Sequence, residues 1–155
     1  LLPWVLEMRE KIGENMRLLD VGSGGGLPGL IIACVQPDLS ITLLETTGKK
    51  ARFLAETAEA LGLDRVQVAN DRAETMGRDP VQRESYHIVT ARAVGPLNVL
   101  AEYTVPLAHP DGLVLAIKGA KAKLRQHCIQ LTKHSHRQHA WQDDEFAAPG
   151  IQSLL

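Results

Sequence analysis

A glycine-rich segment with one carboxylate, residues 20–29, holds the residues of this chain best suited to chemistry. It reads Asp-Val-Gly-Ser-Gly-Gly-Gly-Leu-Pro-Gly. Glycine permits positive φ angles and lets a ligand approach where a Cβ would collide. The apolar run before it, residues 16–21, predicts a buried strand, and residues 27–35 after it predict a helix whose free N–H groups face polar atoms. The segment therefore predicts backbone contact with a nucleotide-like ligand.

Two binding patterns overlap in this segment. Residues 24–29 satisfy the G-x-G-x-x-G dinucleotide pattern, whereas Gly22, Gly24 and Gly26 match the nucleoside turn of class I methyltransferases. Asp20 favours the second pattern, because a carboxylate there can bind the ammonium group of a methionine moiety and would repel a pyrophosphate. The alternative is a structural role alone, in which the glycines form a tight corner.

A second carboxylate, Glu45, ends the strand-like run of residues 40–45. It follows Gly24 by about 20 residues, the spacing expected of an acid that binds ribose hydroxyls. The alternative is a strand-end acid that faces water. Because the glycine pattern and this spacing occur together, we predict that Glu45 binds a ribose.

Alternating strand-like and helix-like segments predict a parallel sheet with helices on both faces. The predicted strands are residues 16–21, 40–45, 65–69, 86–91 and, after an Asp111-Gly112 turn, 112–118. The predicted helices are residues 27–35, 47–61 and 96–107. Ligands of such sheets lie beyond the carboxyl ends of the strands. Four polar residues fall there: Asp20, Glu45, Arg92 and Lys118.

Length and composition predict one soluble domain. The chain has 155 residues, a formal net charge of −1 and 45% hydrophobic residues, and it contains neither a membrane-spanning run nor a signal-peptide pattern. Cys34 and Cys128 lack C-x-x-C spacing, so we expect reduced, packed cysteines without a zinc site. His134 and His136 have no Cys or carboxylate beside them, and we therefore predict no metal site.

Basic residues are concentrated in one block, although the net charge gives no overall attraction to phosphate. Residues 112–142 contain no Asp or Glu. The block includes Lys118, Lys121, Lys123, Arg125, Lys133 and Arg137, with His127, His134, His136 and His139. This block is suited to contact an RNA backbone; the alternative is a solvated helix face.

Residues 19–119 resemble the small-subunit ribosomal RNA guanine-N7 methyltransferases known as RsmG or GidB. Residues 20–29 resemble the S-adenosylmethionine loop of that family. Leu43-Leu44-Glu45, followed by Lys49-Lys50-Ala51-Arg52-Phe53-Leu54, resembles its second strand and helix. Arg72-Ala73-Glu74, Ala91-Arg92-Ala93 and Lys118-Gly119 complete the series in the family's order. No single one of these motifs is specific to the family, but their joint occurrence is.

The resemblance implies a doubly wound, mostly parallel, Rossmann-like α/β fold. It also implies an enzyme that transfers a methyl group from S-adenosylmethionine to a guanine N7 of 16S ribosomal RNA, free or in the small subunit. Guanine N7 is an unprotonated acceptor, so alignment is needed rather than a catalytic base. The alternatives are a methyltransferase for a small molecule or a protein, and an inactive module that binds the cofactor and holds RNA or a protein.

Together, the glycine pattern and the resemblance imply a cofactor site at the carboxyl edge of the sheet. Its predicted members are Asp20, Gly22, Gly24, Leu27, Glu45, Thr46, Thr47, Ala73, Glu74 and Arg92. By resemblance, Gly22 and Leu27 line the methionine and nucleoside part of this site, and Thr46 and Thr47 join Glu45 at the ribose.

Three further roles follow from the same resemblance. Residues 73–74 would contact the adenine, and Arg92 would be the catalytic residue that closes the site near the reacting centre. Its guanidinium can fork to a carboxylate, a phosphate or a base edge. Lys118 would bind a phosphate of the substrate; its alternative is a solvent-exposed strand flank.

The family has a longer helical N-terminal segment and a last strand that this chain does not reach, so we expect truncation at both ends. Within one domain, 1–155, we predict a helical remnant (1–15), a cofactor-binding core (16–119), and a basic helix with incomplete strands (120–155). Trp4, Val5 and Met8 would pack the remnant on the sheet, and residues 151–155 would open an unfinished strand. We expect a monomer that is not membrane-bound and works in the cytoplasm, or in an organelle stroma if the source bears plastids.

Overall fold

The computed structural model describes residues 1–92 and 97–117, together with the backbone of residues 127–130. In these ranges the strands are β1 (Arg17–Val21), β2 (Ser40–Leu44), β3 (Val66–Ala69), β4 (Tyr86–Arg92), β5 (Ala108–Ile117) and β6 (His127–Gln130). The helices are α1 (Leu2–Ile12), α2 (Gly29–Val35), α3 (Gly48–Ala60), α4 (Ala73–Met76) and α5 (Leu97–Thr104).

The strands form one sheet in the order β3-β2-β1-β4-β5-β6. Strands β1 to β5 are parallel, and β6 pairs antiparallel with β5. From the central β1 the chain first builds one half of the sheet and then crosses to β4 to build the other. The sheet is therefore doubly wound and mostly parallel, as the sequence predicted, and its switch point lies between β1 and β4, where ligands of such folds bind.

Two hydrophobic cores cover the two faces of the sheet. Leu18 of β1 packs in one core with Val5 and Met8 of α1, so the first helix does contribute to the core. Leu19, the next residue, packs in the other core with Leu100 of α5. Neighbouring residues of a strand point to opposite faces, and burial on both faces explains why these strands read as continuous apolar runs.

Helix α2 begins two residues later than predicted. Turns occupy the chain between Gly24 and Pro28, and the carbonyl of Gly26 accepts the N–H of Leu30 at 2.7 Å. The helix turns Cys34 outward, so the prediction of a packed cysteine is wrong for this residue. The buried residues Leu30, Ile32 and Ala33 form the side of this short helix that packs on the sheet, which leaves Cys34 on the solvent side.

The predicted Asp111-Gly112 turn before the fifth strand is wrong. Both residues lie within β5, in an irregular stretch opposite β4, where Tyr86 pairs with Ala108 while Ile88 pairs with Leu113. A Cβ at position 112 would lie 2.9 Å from the carbonyl oxygens of His109 and His87. Glycine is needed there because the backbones approach closely, a long-range requirement that imitates a turn signal in the sequence.

Several predictions concern residues outside those that the structure describes. They are Lys118, the basic block beyond it apart from the strand backbone of His127–Gln130, and residues 151–155. In the described ranges, no helix is both long and apolar enough to cross a membrane.

Candidate functional site

Residues 22–26, here called the glycine loop, connect β1 to the turns before α2. Gly22, Gly24 and Gly26 have φ angles of 70°, 57° and 90°, a region that side chains disfavour. A Cβ at Gly26 would also collide with the side chain of Leu30. The N–H groups of Gly22 and Ser23 both donate to the carbonyl of Leu44, at 2.9 and 3.0 Å, and fix the loop to the end of β2.

Asp20, in β1 just before the glycine loop, contacts strand β4 and the start of α2. Its Oδ1 accepts a hydrogen bond from the Thr90 hydroxyl at 2.7 Å, and its Oδ2 accepts the N–H of Gly29 at 3.2 Å. The Ser23 hydroxyl donates to the Asp20 carbonyl at 2.8 Å. The sequence predicted this carboxylate at the ligand surface, but Asp20 is only 1% exposed, because its side chain points into the sheet face that α2 covers.

Burial raises the pKa of the Asp20 carboxyl above its usual range. Hydrogen bonds from Thr90, Gly29 and Ser23 act in the opposite direction, as does the positive charge of Arg92. Hydrogen-bond donors therefore hold the carboxyl at a buried position that disfavours its ionised form.

Glu45 holds the glycine loop from the side. Its Oε2 accepts the N–H of Gly24 at 2.9 Å, and its Oε1 accepts the N–H of Thr47 at 2.8 Å. Burial acts to raise the pKa of the Glu45 carboxyl, but these N–H groups, the Thr47 hydroxyl and the charge of Lys50 outweigh it. The pKa of Glu45 is therefore lower than usual, and the group is a carboxylate at neutral pH.

Asn70 belongs to the same group of residues, although it was not among those predicted from the sequence. Its side-chain N–H₂ donates to the carbonyls of Glu45 and Thr46, at 2.8 and 3.1 Å. Thr46 and Thr47 are exposed beside it, and Thr47 is the N-cap residue of α3. The available signal was position, since a polar residue directly after a predicted strand lies at the carboxyl edge.

The other predicted residues lie at the same edge. Ala73, buried, and Glu74, exposed, form the first turn of α4 after β3. Leu27 is 39% exposed beyond the glycine loop, and Arg92 is exposed at the end of β4. In the described ranges, no three His, Cys, Asp or Glu residues are grouped so as to hold a metal ion.

The sequence model of the family described as rRNA small subunit methyltransferase G matches residues 5–144. The chain belongs to this family. Relatives named ribosomal RNA small subunit methyltransferase G include one from Sorangium cellulosum, 48% identical over 119 residues (77% of this chain, 49% of the relative). Another, from Roseiflexus sp., is 52% identical over 103 residues (66% and 44%). The chain thus spans about half the length of the curated relatives it matches.

Solved structures of methyltransferases share the fold at low sequence identity. An S-adenosylmethionine-dependent methyltransferase from Aquifex aeolicus aligns with a TM-score of 0.57 and 20% identity, over 78% of this chain and 65% of that one. A protein described as a methyltransferase of the same class, from Methanococcus maripaludis, aligns with a TM-score of 0.57 and 16% identity, over 76% and 55%. The class I methyltransferase fold is therefore confirmed for this member of the methyltransferase G family.

Proposed function

We propose that this chain binds S-adenosylmethionine and, in its full-length form, methylates N7 of a guanine in small-subunit ribosomal RNA. One observation carries the cofactor assignment: two carboxylates on neighbouring strands hold the two ends of the β1–α2 connection, Glu45 by accepting the N–H of Gly24 in the glycine loop and Asp20 by accepting the N–H of Gly29 at the start of α2. Membership of the methyltransferase G family supports the RNA acceptor.

Open space at the glycine loop and polar groups beside it support a nucleoside ligand. A Cβ at Gly25 would meet no atom within 4 Å, so the glycine loop is open to an approaching molecule. Each carboxylate oxygen offers two lone pairs, and Glu45 uses one on each oxygen for Gly24 and Thr47. The remaining lone pairs suit the two hydroxyls of a ribose, with Thr46 and Thr47 exposed beside them.

Adenine and methionine contacts complete the proposed cofactor site. Residues 73–74, in the turn that opens α4, offer backbone groups for the edge of an adenine. Gly22 and Leu27 flank the methionine part. Asp20 acts on that part through the glycine loop, and direct contact of its carboxylate with an ammonium group stays a prediction.

The bound cofactor supplies the electrophilic methyl group, and the chain provides alignment. Guanine N7 carries its own lone pair, so no side chain has to remove a proton. Arg92, exposed at the end of β4 beside the switch point, is suited to hold a guanine edge or a phosphate in line with the methyl group. Lys118 is proposed as a second phosphate contact.

Methyl transfer from labelled S-adenosylmethionine tests this function. Free 16S ribosomal RNA and intact small subunits are incubated with the full-length protein, and methylated guanine is mapped by mass spectrometry. Label on guanine N7 of either substrate supports the proposal. Label on protein or on a small molecule assigns a different acceptor, and tight cofactor binding without any transfer indicates an inactive module. Light scattering and cell fractionation test the proposed monomer and its cytoplasmic or stromal location.

Replacement of Arg92 separates acceptor alignment from cofactor binding. We expect Arg92→Ala to lower the transfer rate on the order of 100-fold, while the Kd for S-adenosylmethionine changes by less than about 3-fold. Arg65→Ala is the matched control, because Arg65 is exposed just before β3, at the opposite edge of the sheet. Equal rates for the two variants would contradict the role of Arg92.

A further inference from the structure

Thr90 lies in the middle of β4, next to Asp20 of β1 in the parallel register. Thr90 is fully buried, and its hydroxyl lies 2.7 Å from Oδ1 of Asp20 and 3.4 Å from the carbonyl of Leu19. A hydroxyl has one proton to donate, and the shorter, charge-assisted contact with the carboxylate is the stronger one. Thr90 is thus a dedicated donor to Asp20.

The other oxygen of the same carboxylate contacts the first turn of α2. Oδ2 of Asp20 accepts the N–H of Gly29, the first residue of α2. A Cβ at Gly29 would lie 2.9 Å from this oxygen and would collide with the side chain of Leu43. Because the site is packed this closely, a rotated Asp20 carboxylate would displace Gly29 and, with it, the end of the turns that follow the glycine loop.

Strand β4 also carries the proposed acceptor residue. Thr90 and Arg92 are two positions apart and therefore lie on the same face of the sheet. Arg92 is also the charged side chain whose field reaches Asp20. The contact between Thr90 and Asp20 consequently connects the strand that presents Arg92 with the loop that would hold the cofactor.

We propose that Thr90 is a positioning residue for the cofactor: its hydroxyl orients Asp20 so that the glycine loop and the start of α2 have their binding-competent geometry. The inference rests on the proposed function, because it concerns the same site. Without the hydroxyl, Oδ1 of this buried carboxylate loses its hydrogen bond of 2.7 Å, which disfavours both the ionised state and the orientation of the group.

Three variants of the full chain isolate the hydroxyl. Thr90→Val keeps the shape and removes the donor, whereas Thr90→Ser keeps the donor. Thr104→Val is the matched control, because Thr104 is also fully buried and its hydroxyl donates to the carbonyl of Leu100 at 2.8 Å, in α5. If Thr90→Val does not fold, Thr90→Cys replaces it, since a thiol is a weak donor.

Calorimetry with S-adenosylhomocysteine gives the first measurement. We expect Thr90→Val to weaken binding by about 10- to 100-fold, as for loss of a hydrogen bond to a charged group. Thr90→Ser should stay within about 3-fold of the parent and Thr104→Val within about 2-fold. The acid limb of affinity against pH should move to higher pH in Thr90→Val, a change that a general loss of stability would not produce.

Amide hydrogen exchange at Gly29, measured without ligand, gives a readout independent of the cofactor. We expect exchange to be about 10-fold faster or more in Thr90→Val and unchanged in Thr104→Val. Parent-like binding and protection in a folded Thr90→Val or Thr90→Cys variant would overturn the role of Thr90, as would a Thr90→Ser variant as defective as Thr90→Val. A parent chain that binds no S-adenosylhomocysteine would instead overturn the proposed function.

Discussion

The two buried carboxylates beside the glycine loop, Asp20 and Glu45, have pKa values shifted in opposite directions. Asp20, at the end of β1, is closed off beneath the loop, and burial raises its pKa. Glu45, at the end of β2, receives two backbone N–H groups, and its pKa is lowered. The ionised form is therefore disfavoured in Asp20 and favoured in Glu45, although the two carboxylates lie on neighbouring strands.

This contrast separates two tasks. Glu45 is itself only 5% exposed, but its charge is already satisfied by two backbone N–H donors, and such a carboxylate suits an acceptor for ligand hydroxyls. A buried carboxylate fixed between β4 and α2 suits a support that transmits position. Both acids were predicted as ligand contacts, and the structure supports different means of action for them.

The largest loss of stability should come from adding one methyl group at Gly29, next to the Asp20 carboxylate. In Gly29→Ala the new Cβ would collide with Leu43 and crowd the Asp20 carboxylate. We expect a loss of about 1–3 kcal/mol of unfolding free energy, measured by urea denaturation, with much weaker binding of S-adenosylhomocysteine. Gly25→Ala is the control, since its Cβ meets open space. Equal stability of the two variants would contradict this packing.

Amide replacements should distinguish the two acids directly. In Glu45→Gln the new NH₂ faces a backbone N–H, so one of two hydrogen bonds is lost, and we expect a cost of about 1–3 kcal/mol. In Asp20→Asn the amide oxygen can still accept from Gly29, the NH₂ can donate to the Thr90 oxygen, and the buried charge disappears. We expect its unfolding free energy to stay within about 1 kcal/mol of the parent or to rise. The reverse order in urea denaturation would refute the contrast.

The pH dependence of stability should have opposite signs for the two groups. Asp20 has a raised pKa, so its contribution declines as pH rises from the ordinary value of 3.8 through the folded value. Glu45 has a lowered pKa, so its contribution is present above 4.5 and is lost as pH falls through the folded value.

Unfolding free energies of the amide variants, measured across this acidic range and up to neutral pH, check these signs. The unfolding free energy of Asp20→Asn should increase relative to that of the parent as pH rises. The deficit of Glu45→Gln should shrink as pH falls. Parallel curves for parent and variants would show that these groups are not shifted.

The smallest effect should come from Asn70, which supports Glu45 from outside. Asn70→Ala removes donors to the carbonyls of Glu45 and Thr46, and we expect a loss of about 0.5–1 kcal/mol. Gln67→Ala, at an exposed position of β3, should change unfolding free energy by less than about 0.5 kcal/mol. Thermal melts of both variants make the comparison; a larger loss for Gln67→Ala would contradict the role of Asn70.

Local patterns predicted the elements that end in glycine or in a strand-end acid. Apolar runs before Gly22 and before Glu45 indicated β1 and β2, and the alternation of strands and helices indicated the doubly wound sheet. Residues next to each other in sequence carry this information, so it is readable without coordinates. The positive φ angles of Gly22 and Gly24 agree with it.

Features that depend on contacts between residues far apart in the chain could not be predicted from the sequence. The direction of the Asp20 side chain depends on Thr90, 70 residues later, and the role of Asn70 depends on Glu45, 25 residues before it. Gly112 resembles a turn signal but serves a close approach to β4. In each case the deciding contact joins strands or loops far apart in the chain.

The separation of 70 residues between Asp20 and its hydroxyl donor has a consequence for synthesis. A nascent chain has its glycine segment outside the ribosome well before β4 emerges, and contacts of such high sequence separation form late. Until then the carboxylate has no buried partner and stays hydrated. Completion of the support around Asp20 is therefore coupled to arrival of the second half of the sheet.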